Sequence, residues 1–519
     1  MPHSRAMRAA PLIGPPRAKV SGRRPEYNRR PRSLVVVYFP GGAMRIHMMA
    51  VGGTGMGALA GLLKAQGHDV TGCDTVLYPP MSEAIARYGI PVEAGYDPGH
   101  LQRLRPDLLV IGNSIHADNP EAQAALADGV PYCSMAEAVR RFAVEGRKSL
   151  VVAGTHGKTT TTALAGWLLE SAAMRPNLLV GGIVKGWEAS FRWGDGTWTV
   201  LEGDEYETAF FDKGPKFLHY APSILILNNI EMDHLDNFAD LSALETAFVR
   251  LFGVVNPGGT VLAGTESPSV ARLLPQVGRR TTTFGLGGGE DWTATDVTYS
   301  EQGTRFFLFH SGRRLGAFTS PLHGPHNLRN TLAALAASLE AGAELEALKE
   351  GLASFPGVRR RQEVLHAGRC WAVVDDFAHH PTALRETLKA LRQRFPGRRV
   401  TACFEPRSYT CQTALHQGEL PGALSLADEV WIGPLPAPGR IPSGSRLDVE
   451  RVVRDIESLG RKARALASAE EYEREFEAGA LEPGLVAFFS SGAFHGLPQK
   501  LAGRLALLDE PVCGGKGIQ

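Results

Sequence analysis

The sequence predicts an α/β protein of three domains: a Rossmann-like unit, a central P-loop ATPase-like unit with a parallel sheet, and a C-terminal Rossmann-like unit. Three observations predict it. Two glycine-rich loops, Gly52-Gly53-Thr54-Gly55-Met56-Gly57 and Gly154-Thr155-His156-Gly157-Lys158-Thr159, each follow an apolar strand and open a helical pattern. Beyond Gly357, four apolar strand-like runs alternate with helical stretches. At 519 residues the chain is also too long for a single core.

Composition narrows the function classes. Lys plus Arg number 55 against 54 for Asp plus Glu, so no net field draws the chain to nucleic acid or to a membrane surface. The six cysteines, Cys73, Cys133, Cys370, Cys403, Cys411 and Cys513, are scattered with no CxxC pair. That spacing argues against a disulfide framework and a cysteine zinc site, and suits a reducing cytosol. No apolar run approaches the ~20 residues of a membrane span. The expectation is a cytoplasmic protein with small-molecule partners, no nucleic acid and no membrane. Residues 1–43 are rich in Arg and Pro without periodicity, so they read as a disordered extension or as sequence upstream of a start at Met44.

The first unit spans 44–147. Arg45–Val51 reads as a buried strand, and Gly53, Gly55 and Ala58 satisfy the GxGxxG/A spacing of a diphosphate loop. His68–Asp74 is a second strand whose terminal acid lies at the position where a Rossmann unit places its ribose ligand. On this signal alone NAD is the default ligand. Further strand–helix alternation passes through Asp107–Ser114 to about Gly146.

The central unit spans 148–357. Its glycine-flanked turn and following helix offer N–H groups to phosphate oxygens, Lys158 adds a charge for the β/γ oxygens, and the Thr159 hydroxyl can ligate Mg²⁺. Glu202 and the segment Asn229–Asp236 end two further strands, on the edge that carries the loop in a parallel sheet. One carboxylate beside Thr159 and the phosphates makes an adequate Mg²⁺ site. His234 reads by itself as a structural histidine held between Asp233 and Asp236, and by its place on the nucleotide edge as a metal or phosphate contact. Asn327 can cap the alanine-rich helix that follows it, or read an adenine edge. Arg359, Arg360 and Arg361 stand at the border with the third unit, where guanidinium contact with phosphate or ribose competes with a solvated face.

The third unit spans 358–519, with strands at Trp371–Asp376, Arg399–Phe404, Glu429–Ile432 and Leu485–Ser490. Asp375-Asp376-Phe377-Ala378-His379-His380-Pro381 closes a strand and opens a helix, Pro381 fitting the first helical position. Nucleotide and acceptor contacts are favoured there over an independent metal cluster.

The motifs GGTGMGALA, GTHGKTTTT, LEGDE, NNIEMDHLD, GPHNLRN, RRRQE, DDFAHHPTA and SSGAF together resemble the Mur ligases, the ATP-dependent amide-forming enzymes of bacterial cell-wall peptide assembly. The resemblance implies that the first unit holds UDP rather than NAD, through Gly53, Thr54, Gly55, Met56, Gly57, Asp74, Ser114 and His116. It implies ATP, a co-substrate, on Gly154, Thr155, His156, Gly157, Lys158, Thr159, Thr160, Asn327, Arg361 and Asp376. It puts one Mg²⁺ on Thr159 and Glu202 and a second on His234, and gives catalytic roles to Lys158, His234 and His379. The stretches LYPPMS, DEYETAFFDKGPKF and EPRSYT look like the branch that joins UDP-N-acetylmuramate to the tripeptide L-Ala-γ-D-Glu-meso-diaminopimelate in peptidoglycan recycling. Arg407, Ser408 and Thr410 would hold that acceptor. The alternative is the sibling branch, which adds L-alanine during peptidoglycan synthesis.

Two departures accompany the resemblance. Leu244–Arg250 offers no lysine for the carbamylated residue of several branches. Pro406–Cys411 also departs from the HRYxRT pattern of the alanine-adding branch, with Cys411 where an arginine stands there. Two other classes stay open on the residues alone: a nicotinamide oxidoreductase, and a P-loop ATPase that forms no ligation product.

Overall fold

The glycine turn at Gly52–Gly53 separates the first strand from the first helix, and that unit repeats into a doubly wound layer. The computed structural model describes residues 42–509 except 236 and 437–440, so all but the last two residues of the 1–43 extension lie outside it. Five short strands, β1 (Arg45–Met49), β2 (Asp69–Asp74), β3 (Val92–Ala94), β4 (Leu108–Ile111) and β5 (Tyr132–Ser134), form a parallel sheet in the order β3-β2-β1-β4-β5. The helices are α1 (Thr54–Ala65), α2 (Met81–Arg87), α3 (Gly99–Leu104), α4 (Pro120–Ala127) and α5 (Met135–Val139). Local chemistry fixes their starts. The Asn119 side chain accepts from the Glu121 and Ala122 amides with Pro120 at the first position of α4, and Ser134 with Glu137 makes a capping box at α5.

The central sheet is larger than a nucleotide-binding core needs. Its strands are β6 (Lys148–Ala153), β7 (Asn177–Val184), β8 (Ala189–Arg192), β9 (Trp198–Glu202), a separate hairpin β10 (Glu207–Ala209) and β11 (Asp212–Pro215), then β12 (Ile224–Leu227), β13 (Thr260–Gly264), β14 (Arg280–Phe284), β15 (Trp292–Ser300), β16 (Gly303–His310) and β17 (Arg313–Ser320). Their order is β17-β16-β15-β14-β13-β12-β6-β9-β7-β8. The strands from β14 to β7 run parallel, whereas β15, β16 and β17 form an antiparallel meander at one edge and β8 turns back on β7 at the other. Sequence reading had no strand in the meander, whose faces are half-exposed and carry threonines and charges among the apolar residues.

Strand β6 lies in the middle and feeds α6 (Lys158–Ser171). It is flanked by β12, with Ala153 opposite Leu227, and by β9, with Val152 opposite Glu202. The carboxyl ends of both neighbours therefore meet the loop after β6. Successive residues of β6 and β12 bury on opposite faces, Val151 and Leu225 in one core and Val152 and Ile226 in the other, which explains their continuous apolar runs.

The first of these cores is shared. It joins Met48, Leu59 and Leu63 of the first layer with Leu201, Leu225 and Phe248 of the central one, Phe248 lying on α7 (Leu241–Val254). Helix α1 comes so close to β8 that a Cβ on Gly61 would stand within 2.2 Å of the Phe191 ring, so only glycine fits.

The third sheet contains β18 (Glu363–Ala367), β19 (Trp371–Asp376), β20 (Val400–Glu405), β21 (Glu429–Ile432), β22 (Lys462–Ala465) and β23 (Gly484–Ser490), ordered β18-β19-β23-β20-β21-β22. All but β18 are parallel, and the sheet has its own cores on its two faces. No described helix is long and apolar enough to cross a membrane.

Candidate active site

One cavity of about 660 Å³ is lined from all three layers. Thr54 and Gly55 come from the first, residues 155–160 with Glu202, His234 and Asn327 from the second, and Arg361, Asp376 and His379 from the third.

The loop after β6 owes its shape to two glycines with positive φ. Gly154 (φ 125°) lies so close to Asn229 that a Cβ would meet its carbonyl at 2.7 Å, and a Cβ on Gly157 (φ 80°) would collide with the Asn330 amide oxygen. The segment after β12 braces this loop. The Thr155 and His156 amides donate to the Asn229 backbone and side-chain oxygens at 2.9 and 2.8 Å, and the Thr155 hydroxyl bonds the Glu231 backbone. This corrects the expectation that the whole loop offers its N–H groups: those of Thr155 and His156 are taken. What remains for phosphate is the first turn of α6, where Lys158, Thr159 and Thr160 carry helix-terminal amides.

Lys158 does not extend into open space. Its ammonium donates to Gly154 O at 2.7 Å and to both Glu205 oxygens at 3.0 and 2.9 Å. Glu205 also lies 3.0 Å from His234 Nε2, while His234 Nδ1 lies 2.7 Å from the Tyr206 hydroxyl. Burial alone would raise the Glu205 carboxyl, but the Lys158 charge and the His234 hydrogen bond hold it down to about 2. His234, itself left-handed at φ 59°, therefore has both ring nitrogens engaged. Its ring hydrogen-bonds Glu205 and Tyr206; of the bracket read from sequence, Asp233 accepts from the His234 amide at 2.7 Å and stands 3.9 Å from Nδ1, while Asp236 lies outside the described residues. Glu205 and Tyr206 were missed as site residues, although Glu205 stood in the quoted LEGDE three positions after Glu202.

Thr159 and Glu202 meet as expected. The Thr159 hydroxyl donates to Glu202 Oε1 at 2.8 Å, and Glu202 Oε2 accepts from the Gly181 amide at 2.6 Å. Burial and the nearby Asp204 raise the Glu202 carboxyl above its usual range, the mark of an anion short of positive charge. These clustered oxygens fit a hard divalent cation such as Mg²⁺. Arg361 crosses from the third layer to donate to the Thr159 hydroxyl at 2.9 Å, its guanidinium 4.5 Å from the Phe377 ring centroid. The Asp376 carboxylate holds the turn around it, accepting from the Gln362 and Ala378 amides at 2.6 and 2.7 Å.

The other predicted residues distribute unevenly. Asn327 lies inside its helix, capped instead by Gly324, and its amide bonds His323 O and Asn330. His379 lines the cavity with Nδ1 3.0 Å from Phe377 O, and burial lowers its basicity even though Asp233 opposes this. Of the first-layer residues named from sequence, Thr54 and Gly55 line the cavity, beside Ala58, Met135 and Val139. The Met56 side chain is buried in the core and the Gly57 amide is spent on Gly53 O at 2.8 Å, so neither the Met56 side chain nor the Gly57 N–H is offered to a ligand. Asp74 also turns inward: it accepts from the Gly52 and Thr75 amides and fixes the glycine turn. Gly53, Ser114 and His116 are exposed on loops at the carboxyl edge of the first sheet, outside the cavity.

The acceptor residues also lie outside it. Arg407 is half-exposed beside Glu405, Ser408 bonds the Cys411 amide, and Thr410 is buried against the Leu235 amide of the central layer. Cys411, where the alanine-adding branch has arginine, is buried under the His379 carbonyl with its Sγ donating at 3.0 Å, so the position is filled and does not open a pocket.

Comparison with known proteins agrees with this layering. Residues 45–147 match the catalytic domain described for the Mur ligase family, 152–338 the Mur ligase middle domain, and 360–492 the Mur ligase glutamate ligase domain. The chain is 36% identical over 470 residues to the UDP-N-acetylmuramate–L-alanyl-γ-D-glutamyl-meso-2,6-diaminoheptandioate ligase of Escherichia coli, covering 89% of this chain and 98% of that one. Among solved structures, a murein peptide ligase from Psychrobacter arcticus superposes with a TM-score of 0.68 at 30% identity, over 91% of this chain and all of that one. The UDP-N-acetylmuramate–alanine ligase of Thermotoga maritima gives 0.74 at 25% identity, over 90% of this chain and all of that one.

Proposed function

The chain belongs to the Mur ligase family, and on that premise we propose that it is an ATP-dependent ligase joining UDP-N-acetylmuramate to L-Ala-γ-D-Glu-meso-diaminopimelate. The observation that carries the reading is the single cavity onto which the phosphate loop, the first glycine turn and the Asp376–His380 turn all open. A ligase of three substrates needs such a meeting place, where positioning replaces a termolecular encounter and water is kept from a reactive intermediate.

In this reading the lactyl carboxylate of the sugar nucleotide attacks the γ-phosphorus, ADP leaves, and an acyl phosphate remains. The peptide amine then attacks its carbonyl carbon, phosphate leaves, and the amine proton passes to a base. Lys158 swings from Glu205 to the transferring phosphoryl, and the first-turn amides of α6 hold its oxygens. Thr159 and Glu202 would hold Mg²⁺, and the ion would supply charge neutralisation to the phosphates. A second ion at His234 requires that ring to give up Glu205 or Tyr206. Arg361 steadies the nucleotide across the border of the layers, and His379, kept neutral by burial, accepts the amine proton. The UDP diphosphate rests on the turn at Gly53–Gly55, and the peptide carboxylates face Arg407. All three substrates are small soluble molecules of the kind a cytoplasmic enzyme meets, and a net charge of +1 gives no field toward nucleic acid or a membrane surface.

The second reading, ligation of L-alanine, draws support from the Thermotoga superposition, although identity to the Psychrobacter peptide ligase is greater. One assay separates them: ATP, Mg²⁺ and UDP-N-acetylmuramate with either L-alanine or tripeptide, the product detected by mass. The tripeptide product is expected in large excess. Equal use of L-alanine overturns the branch, and phosphate release without any ligated product overturns the ligase reading.

A further inference from the structure

Away from the active-site cavity, on the opposite face of the first sheet from α1, four metal-binding side chains converge in the dry interior. They are His47 of β1, Cys73 of β2, His100 of α3 and Glu121 of α4, with one ligating atom from each lying within 4.8 Å of all the others. All four are buried, His100 alone retaining 5% exposure. His47 Nε2 stands 3.1 Å from Glu121 Oε1, His100 Nδ1 3.1 Å from Oε2, and the Cys73 thiol 3.5 Å from Oε2.

Those separations have a meaning. Bonds of about 2.0–2.3 Å to nitrogen, oxygen and sulfur around a tetrahedral centre place neighbouring ligands roughly 3.3–3.8 Å apart. The hydrogen-bond edges already present thus approximate the edges of a coordination tetrahedron. Three donors, two imidazoles and a thiol, are all directed at one carboxylate, and one divalent ion can replace the protons that hold them. Outer partners already orient two of these groups: Thr71 Oγ1 lies 2.8 Å from His47 Nδ1, and the Asp97 amide donates to Glu121 Oε2 at 3.1 Å.

We propose that His47, Cys73, His100 and Glu121 form a structural site for a divalent transition ion of the zinc class. Two imidazoles, a thiolate and a carboxylate suit that borderline class better than Mg²⁺ or Ca²⁺, which want oxygen alone. Binding deprotonates Cys73, releases its proton to solvent and changes no oxidation state. The sequence conceals the site because its ligands lie 21 to 27 positions apart, with no paired spacing; the strand order 2-1-4 and two short helices assemble it. Its consequence is positional. Cys73 directly precedes Asp74, whose carboxylate fixes the Gly52 amide of the turn, so an ion here stiffens the base of the sugar-nucleotide loop.

The test uses the whole protein, stripped of transition ions and kept in Mg²⁺, titrated with Co²⁺. Wild type is expected to take up one equivalent with tetrahedral visible bands and a thiolate-to-cobalt charge-transfer band, and to melt several degrees higher with Zn²⁺ than without. Cys73→Ser removes the charge-transfer band and weakens binding at least tenfold, and His100→Gln weakens it similarly. Circular dichroism of both variants checks that they fold. A second cluster, His156, Glu231 and His380, lines the active-site cavity and supplies the control. No stoichiometric binding by wild type overturns the proposal, as does binding that survives Cys73→Ser and is lost in His380→Gln.

Discussion

At the scale of single residues, the least expected arrangement is the lysine of the phosphate loop lying in a buried ion pair. Lys158→Ala is expected to abolish ligation while binding of UDP-N-acetylmuramate persists, since the first glycine turn does not depend on it; residual turnover above a few per cent refutes this. Glu202→Gln keeps shape and loses charge, so turnover should fall at least tenfold and recover in part at high Mg²⁺ or Mn²⁺. Unchanged metal dependence would make Glu202 structural. Glu205 carries a pH signature. Its carboxyl is depressed from an ordinary 4.5 to about 2, so the stability it contributes is present above pH 4.5 and is lost as the pH falls towards 2. That shift corresponds to on the order of 3 kcal/mol. Glu205→Gln should therefore melt well below wild type at pH 7, with the gap closing as the pH falls from 4.5; a gap constant across that range would show that the ion pair is not its source.

At the scale of elements, the sequence was most legible where one strand, one turn and one helix make a site by themselves. Lys158, Thr159 and Glu202 could be named together because β6, its loop and the end of β9 are local patterns on one sheet edge, and the structure brings Thr159 against Glu202. What it hid are tertiary substitutions of one partner for another. The Thr155 and His156 amides are taken by Asn229, and the His234 ring pairs most closely with a carboxylate 29 positions earlier, nearer than its neighbour Asp233. The meander β15–β17 was missed because one exposed face breaks the apolar run that marks a buried strand. The loop after β20 remains the element to probe for acceptor choice. Arg407→Lys loses bidentate geometry towards a carboxylate, and should raise the apparent KM for tripeptide by roughly tenfold or more while leaving that for ATP near wild type. A matched rise for both substrates would place Arg407 outside the acceptor site. Cys411→Arg should depress activity with both acceptors, because the side chain is packed beneath His379.

At the scale of the whole molecule, the layers are joined in two different ways. The third sheet meets the central one through polar contacts: Arg361 on Thr159, Thr410 on the Leu235 amide, Arg329 facing Glu386 across 3.9 Å, and the His156 and His380 rings at 4.5 Å. The first and central sheets instead share one apolar core, sealed where Phe191 presses on Gly61. Cooperative melting follows shared apolar burial more closely than it follows domain count. Scanning calorimetry of the ligand-free protein should thus record two endotherms rather than three: a larger one for the first and central layers unfolding as a single unit, and a smaller one for the third. Gly61→Ala, which wedges the seam, should lower or split the larger endotherm and leave the smaller one where it was.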